Sequence, residues 1–178
     1  MPPAHSRLED APKRSDQNAA ATGLRVDVVN ETEHAYDVAR LAAAVQCVLS
    51  DAAVASDAIS GGIVGDPASH RLKRQFLQPH YPTDVLGLLL SPSPCLEGEI
   101  IASADTAARE AASVGWTAAD ELLLYVVHGA LHLVGHRDDA PAAIAAMRQC
   151  ERAVLGRFGV AVADEDGRWS DIPEDAAT

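Results

Sequence analysis

The run Glu121-Leu122-Leu123-Leu124-Tyr125-Val126-Val127-His128-Gly129-Ala130-Leu131-His132 constrains this chain more than any other. After its glutamate the run is apolar on every side up to Val127, so a helix here must be sheathed by other elements. His128 and His132 are four apart, and on a helix that spacing stacks both rings on one face. Two imidazoles so placed can each aim a nitrogen at one Zn²⁺, at about 2.0–2.1 Å. Gly135 is placed to end the helix, because glycine tolerates the left-handed conformation that closes many helices. The chain can then turn and return a third donor from His136 or Asp138.

The pattern His-x-x-x-His-x-x-Gly-x-x-Asp resembles the zincin metal sites. A peptidase of that kind needs a glutamate directly after the first histidine as general base. Gly129 stands there, which argues against peptide hydrolysis. Histidines at helical spacing also pack or hydrogen-bond without any metal, so spacing alone leaves both readings open.

Three ordered segments go further. His-Gly-x-Leu-His-Leu-x-Gly, from His128 to Gly135, is followed by acidic residues. Tyr81-Pro82-Thr83-Asp84-Val85-Leu86 and Leu96-Glu97-Gly98-Glu99-Ile100-Ile101-Ala102-Ser103 precede it, and Met147 and Glu151 follow. Together they resemble the YbeY family of ribosomal RNA maturation endoribonucleases, over roughly residues 24–158. The resemblance implies a sheet of about four strands packed against helices. It also implies a zinc-dependent endoribonuclease specific for single strands, acting in 3′-end maturation of small-subunit ribosomal RNA and in ribosome quality control. The implied partners are ribosomal RNA and the small ribosomal subunit, with a small-subunit ribosomal protein and a ribosome-associated GTPase.

Composition tempers that reading. The net charge of −12 opposes whole-molecule attraction to phosphate, so RNA would need a local basic patch. His70, Arg71, Lys73, Arg74 and His80 form the one basic cluster of the expected folded part. It reads either as an ordinary solvated helix face or, with the resemblance, as a groove for the RNA backbone. Cys47, Cys95 and Cys150 are too few and too scattered for a disulfide framework or a metal knuckle. They read as buried small hydrophobes in a reducing, cytoplasmic setting. The sequence contains no apolar run long enough for a membrane span.

Along the chain, residues 1–22 read as a disordered extension, 23–160 as one domain and 161–178 as an acidic tail. Strands are expected at 24–30, 58–64, 85–90 (buried) and 97–103, with the second weakened by Gly61 and Gly62. Helices are expected at 35–52, from Asp66 as cap through Leu77, at 104–112, at 118–134 behind a Thr117–Asp120 capping box, and from Pro141 onward. The fold class is α+β: a small mixed sheet of four strands packed against about five helices, one of them a zincin-like metal helix.

The candidate site follows from these pieces. His128, His132 and Asp138 are the expected metal ligands; Asp138 stands where the resemblance implies a histidine, and His136 is the competing donor. Three protein ligands leave a fourth position for water, whose pKa Zn²⁺ lowers towards about 7. The family's arginine ahead of its Pro-Thr segment falls on Leu77, so Arg74 becomes the expected catalytic cation beside His128 and His132. Arg71, Lys73, Arg74 and Thr83 are the expected substrate contacts. The loss of that arginine also supports an alternative, a catalytically impaired ribosome-assembly protein with a structural metal.

Overall fold

The computed structural model describes residues 25–54, 56–76, 85–91 and 96–162, the side chains of 56–57 and 73–76 excepted. Among them are four strands, β1 (Val26–Asn30), β2 (Ser56–Val64), β3 (Val85–Ser91) and β4 (Leu96–Ser103). The helices are α1 (Val38–Asp51), α2 (Asp66–Phe76), α3 (Ala104–Val114), α4 (Ala118–Leu133) and α5 (Pro141–Arg157). The strands form one mixed sheet in the order β1-β2-β4-β3, with β1, β2 and β4 parallel and β3 antiparallel at the edge. The architecture is α+β, as expected.

Alternation along the strands sorts side chains between two faces. Ile59, Ile63, Val85, Leu96, Ile100 and Ala102 join the main core with α1, α4 and α5. Val64, Leu86 and Ile101 point the other way and meet Ala68 and Leu72 of α2. The metal-helix candidate α4 and the basic helix α2 therefore lie on opposite faces of the sheet. Leu122, Leu123, Val127 and Ala130 are fully enclosed, as an all-round apolar helix requires. Glu121 is equally enclosed, although its charge set it outside the expected apolar run.

Glycine decides how close α4 comes to the sheet. A Cβ on Gly129 would sit 2.9 Å from Ile100 Cγ2 and 3.2 Å from Val85 Cγ2. One on Gly87 would meet the carbonyl oxygen of Gly129 at 3.1 Å. Backbone thus lies against backbone where β3 passes under the first histidine, and a glutamate at position 129 has no room.

Several sequence expectations need correction. Asp66 does not cap α2: the amides of Ala68 and Ser69 donate to the Gly65 carbonyl, so Gly65 holds the cap position. The Asp66 carboxylate instead accepts from Ser103, Thr106 and Arg109, tying α2 to the start of α3. β3 is an edge strand rather than a buried one. Val85 and Leu86 are covered, but Leu89 and Leu90 are 52% and 65% exposed, and among the described residues β3 pairs only with β4. β2 forms where a strand is expected at 58–64, and it is a central one despite its two glycines; Gly61 makes room for Val28 on its neighbour. Helix α1 starts at Val38 rather than at residue 35, because the Asp37 side chain caps it by accepting from the Arg40 amide. Cys47 and Cys150 are only half-buried, and Cys47 Sγ accepts from Arg157; Cys95 lies outside the described residues. The expected disordered extension, residues 1–22, and all but the first two residues of the expected acidic tail, 161–178, also lie outside them.

Candidate metal centre

Local rules build the platform. The Thr117 side chain accepts from the Asp120 amide and starts α4, as its spacing predicts. At the other end Gly135 adopts φ 98°, in the left-handed region. The Gly135 amide donates to the His132 carbonyl and the His136 amide to that of Leu131, the paired bonds of a Schellman closure. That reversal brings residues 136–139 back over the last turn of α4.

His128 and His132 present their rings edge to face, with centroids 4.5 Å apart. Their Nε2 atoms are 2.9 Å apart, and Asp138 Oδ2 lies 3.7 Å from the first and 3.6 Å from the second. The far side of each ring is occupied. His132 Nδ1–H donates to the His136 carbonyl at 3.0 Å, and His128 Nδ1 lies 2.6 Å from Glu151 Oε1. A carbonyl and an ionised carboxylate only accept, so both protons sit on Nδ1. Two Nε2 lone pairs and a carboxylate oxygen then converge on one point, an arrangement that repels itself until a cation occupies it.

The separations fit such an ion. The circle through the three donor atoms has a radius of about 2 Å, which matches Zn–N and Zn–O bond lengths of about 2.0–2.2 Å. The donors are borderline and hard, a set that suits a divalent ion, and each histidine has an acceptor behind it, as metal-bound imidazoles nearly always do. Asp138 is 45% exposed, so the triad opens to solvent on its carboxylate side. Its neighbour Asp139 is held by Arg137, which keeps the Asp139 carboxyl below its ordinary range.

Of the sequence candidates, the structure brings His128, His132 and Asp138 together. His136 contributes its backbone carbonyl to orient His132. Arg71 is exposed on α2, on the opposite face of the sheet. Lys73 and Arg74 lie in the same helix with side chains outside the described residues, as are Leu77, His80 and Thr83 altogether. Sequence reasoning gave Glu151 no role at the site. It shares a helical face with Met147 and Val154, which marks burial, but nothing local says that His128 is what it meets.

Fold and site together define an α+β domain whose buried core helix carries a two-histidine, one-carboxylate triad suited to a divalent ion. The family model for Endoribonuclease YbeY matches residues 27–159. Endoribonuclease YbeY of Rhodopirellula baltica is 39% identical over 155 residues, covering 79% of this chain and 79% of its own length. That of Chlorobaculum parvum is 32% identical over 135 residues, covering 76% of this chain and 96% of the relative. A protein of Thermotoga maritima, known from a solution structure, shares the fold with a TM-score of 0.51 at 22% identity; the match covers 77% of this chain and 92% of the other. This chain belongs to the endoribonuclease YbeY family.

Proposed function

We propose that this protein is a zinc-dependent endoribonuclease that cleaves single-stranded RNA during 3′-end maturation of small-subunit ribosomal RNA. One observation carries the metal dependence: three donor atoms converge at metal-ligand spacing, with an oxygen acceptor against Nδ1 of each imidazole. Family membership carries the substrate class.

His128, His132 and Asp138 would hold the ion. When bound, the ion supplies Lewis acidity, making water nucleophilic at neutral pH and offsetting charge on a phosphoryl oxygen. The chain's own contributions are positional. The Schellman turn fixes Asp138 opposite the histidines, and the carboxylate side is open to a bulky polymer. Gly129 leaves no general base next to His128, which fits a substrate whose leaving oxygen is less basic than a peptide nitrogen. Arg71, Lys73 and Arg74 would contact RNA phosphates. Val85, which opens β3, lies against Gly129 of α4, one residue from His128. Residues 163–178 hold six acidic residues against one arginine, which is −5 of the net −12; the remaining −7 lies on residues 1–162, so RNA binding in this reading depends on the local cations of α2.

Among the described residues no helix is long and apolar enough to cross a membrane. Contact with the small ribosomal subunit, a ribosomal protein of that subunit and a ribosome-associated GTPase belongs to the same proposal. The test is cleavage of a single-stranded RNA by purified protein, with and without chelator, and after His132→Ala. Loss of cleavage on both treatments, restored to wild type by added Zn²⁺, is the expected result. Cleavage indifferent to both sinks the proposal. Zinc bound at one per chain with no cleavage would favour the second reading, an assembly protein with a structural metal, which Leu77 at the family's arginine position supports.

A further inference from the structure

We propose that Glu151 is a positioning residue for the ion: it fixes which nitrogen His128 offers and couples the docking of α5 to ion binding. This rests on the metal reading above. Glu151 is 3% exposed, with its Oε1 2.6 Å from His128 Nδ1. It comes from a different helix, 23 residues further along the chain.

Three consequences follow from that contact. First, a neutral imidazole left alone divides between two tautomers and two ring orientations, and only one combination aims the Nε2 lone pair at His132 and Asp138. Glu151 selects that combination before any ion arrives. Second, a carboxylate this deeply buried is costly unless a cationic partner lies against it. An imidazole bound to a divalent ion is such a partner, so Glu151 favours the loaded state over the empty one. Third, α5 carries both sides of the arrangement. Its first residue, Pro141, follows directly on the loop bearing Asp138, while Met147, Val154 and Leu155 seat the helix in the core. The seating of one helix therefore sets the support behind His128 and the anchor of the third ligand together.

The experiment uses the full chain as wild type, Glu151→Gln, Glu151→Ala and Ile101→Val. Zn²⁺ affinity is measured by competition with a chromogenic chelator at fixed pH, and thermal unfolding is followed with and without Zn²⁺. Glutamine keeps the shape and can still accept from Nδ1–H, so Glu151→Gln separates loss of charge from loss of fold. The expected weakening is about 10-fold for glutamine and about 100-fold for alanine. The gain in unfolding temperature on adding Zn²⁺ should shrink in the same order. Ile101→Val trims the core on the far side of the sheet, where Ile101 packs with Ala68 and Leu72, and should lower stability while leaving Zn²⁺ affinity within about twofold. If Glu151→Ala does not fold, the affinity of Glu151→Gln decides alone. The proposal is overturned if both Glu151 variants bind Zn²⁺ like wild type, or if Ile101→Val weakens binding as much as they do. Absence of Zn²⁺ binding by wild type overturns it together with the metal reading.

Discussion

Two helical glycines make opposite predictions for the same substitution. Gly129 is inside α4, and Gly156 is in the last turn of α5. On an exposed helix, alanine in place of glycine gains up to about 1 kcal/mol from backbone entropy. At Gly156 nothing lies within 4 Å of the new Cβ, so Gly156→Ala should be stabilising by about 0.5–1 kcal/mol. At Gly129 the new atom would lie 2.9 Å from Ile100 and 3.2 Å from Val85, which are 1% and 6% exposed and have nowhere to retreat. Overpacking of this kind costs about 1–3 kcal/mol, leaving Gly129→Ala destabilised by about 0–2 kcal/mol after the helical gain. At about 2–4 °C per kcal/mol for a domain of this size, the two variants should move the unfolding temperature in opposite directions. Urea titration gives the free energies, with an unchanged m-value confirming that the same two states are compared. Because His128 adjoins the clash, Gly129→Ala should also weaken Zn²⁺ binding, and Gly156→Ala should not. A Gly129→Ala protein as stable as Gly156→Ala would refute the claim that close approach dictates glycine under the histidines.

Other outcomes are more local. Hydrogen bonds from Ser103, Arg109 and Thr106, with the Arg109 charge, lower the Asp66 carboxyl from 3.8 to about 2 despite its partial desolvation. A depressed carboxylate stabilises the fold above its unfolded pKa and loses that contribution as pH falls through the folded one. Asp66→Asn should therefore cost up to about 2 kcal/mol at pH 7 and flatten the loss of stability between about pH 4 and 2, read by denaturation across pH. One Arg40 guanidinium nitrogen donates to Asp120 Oδ1 and to the Phe158 carbonyl, both at 3.0 Å, joining α1 to the start of α4 and the end of α5. Arg40→Ala should cost about 1–2 kcal/mol by thermal unfolding, and a neutral result would mean that solvent replaces both bonds. Leu77→Arg supplies a cation where the resemblance implies an arginine. It should raise the cleavage rate on single-stranded RNA without changing Zn²⁺ affinity, and an unchanged rate would assign the phosphate contact to other residues.

How far the sequence reached depended on how local each cause is. The Thr117 cap, the closing turn at Gly135 and the stacking of His128 on His132 span a few residues each, and the local order of residues specifies them. The convergence of Asp138 was legible for the same reason, since a Schellman turn returns the chain by a fixed amount. Sheet position was not. The apolar run of β3 reads as buried, yet Leu89 and Leu90 face solvent on a strand at the sheet edge. β2 reads as weak from its glycines, yet Gly61 is there to admit Val28 from the strand beside it.

By itself, then, the sequence determined the elements with short-range causes: a sheathed helix, its two ends, two imidazoles on one face and an acidic residue returned beside them. Only the tertiary structure decided strand order, the glycine-lined approach of α4 to the sheet and the buried carboxylate of Glu151 behind His128. Those contacts join segments far apart in the chain, and their partners are chosen by which surfaces remain to be covered once the helices and strands have formed.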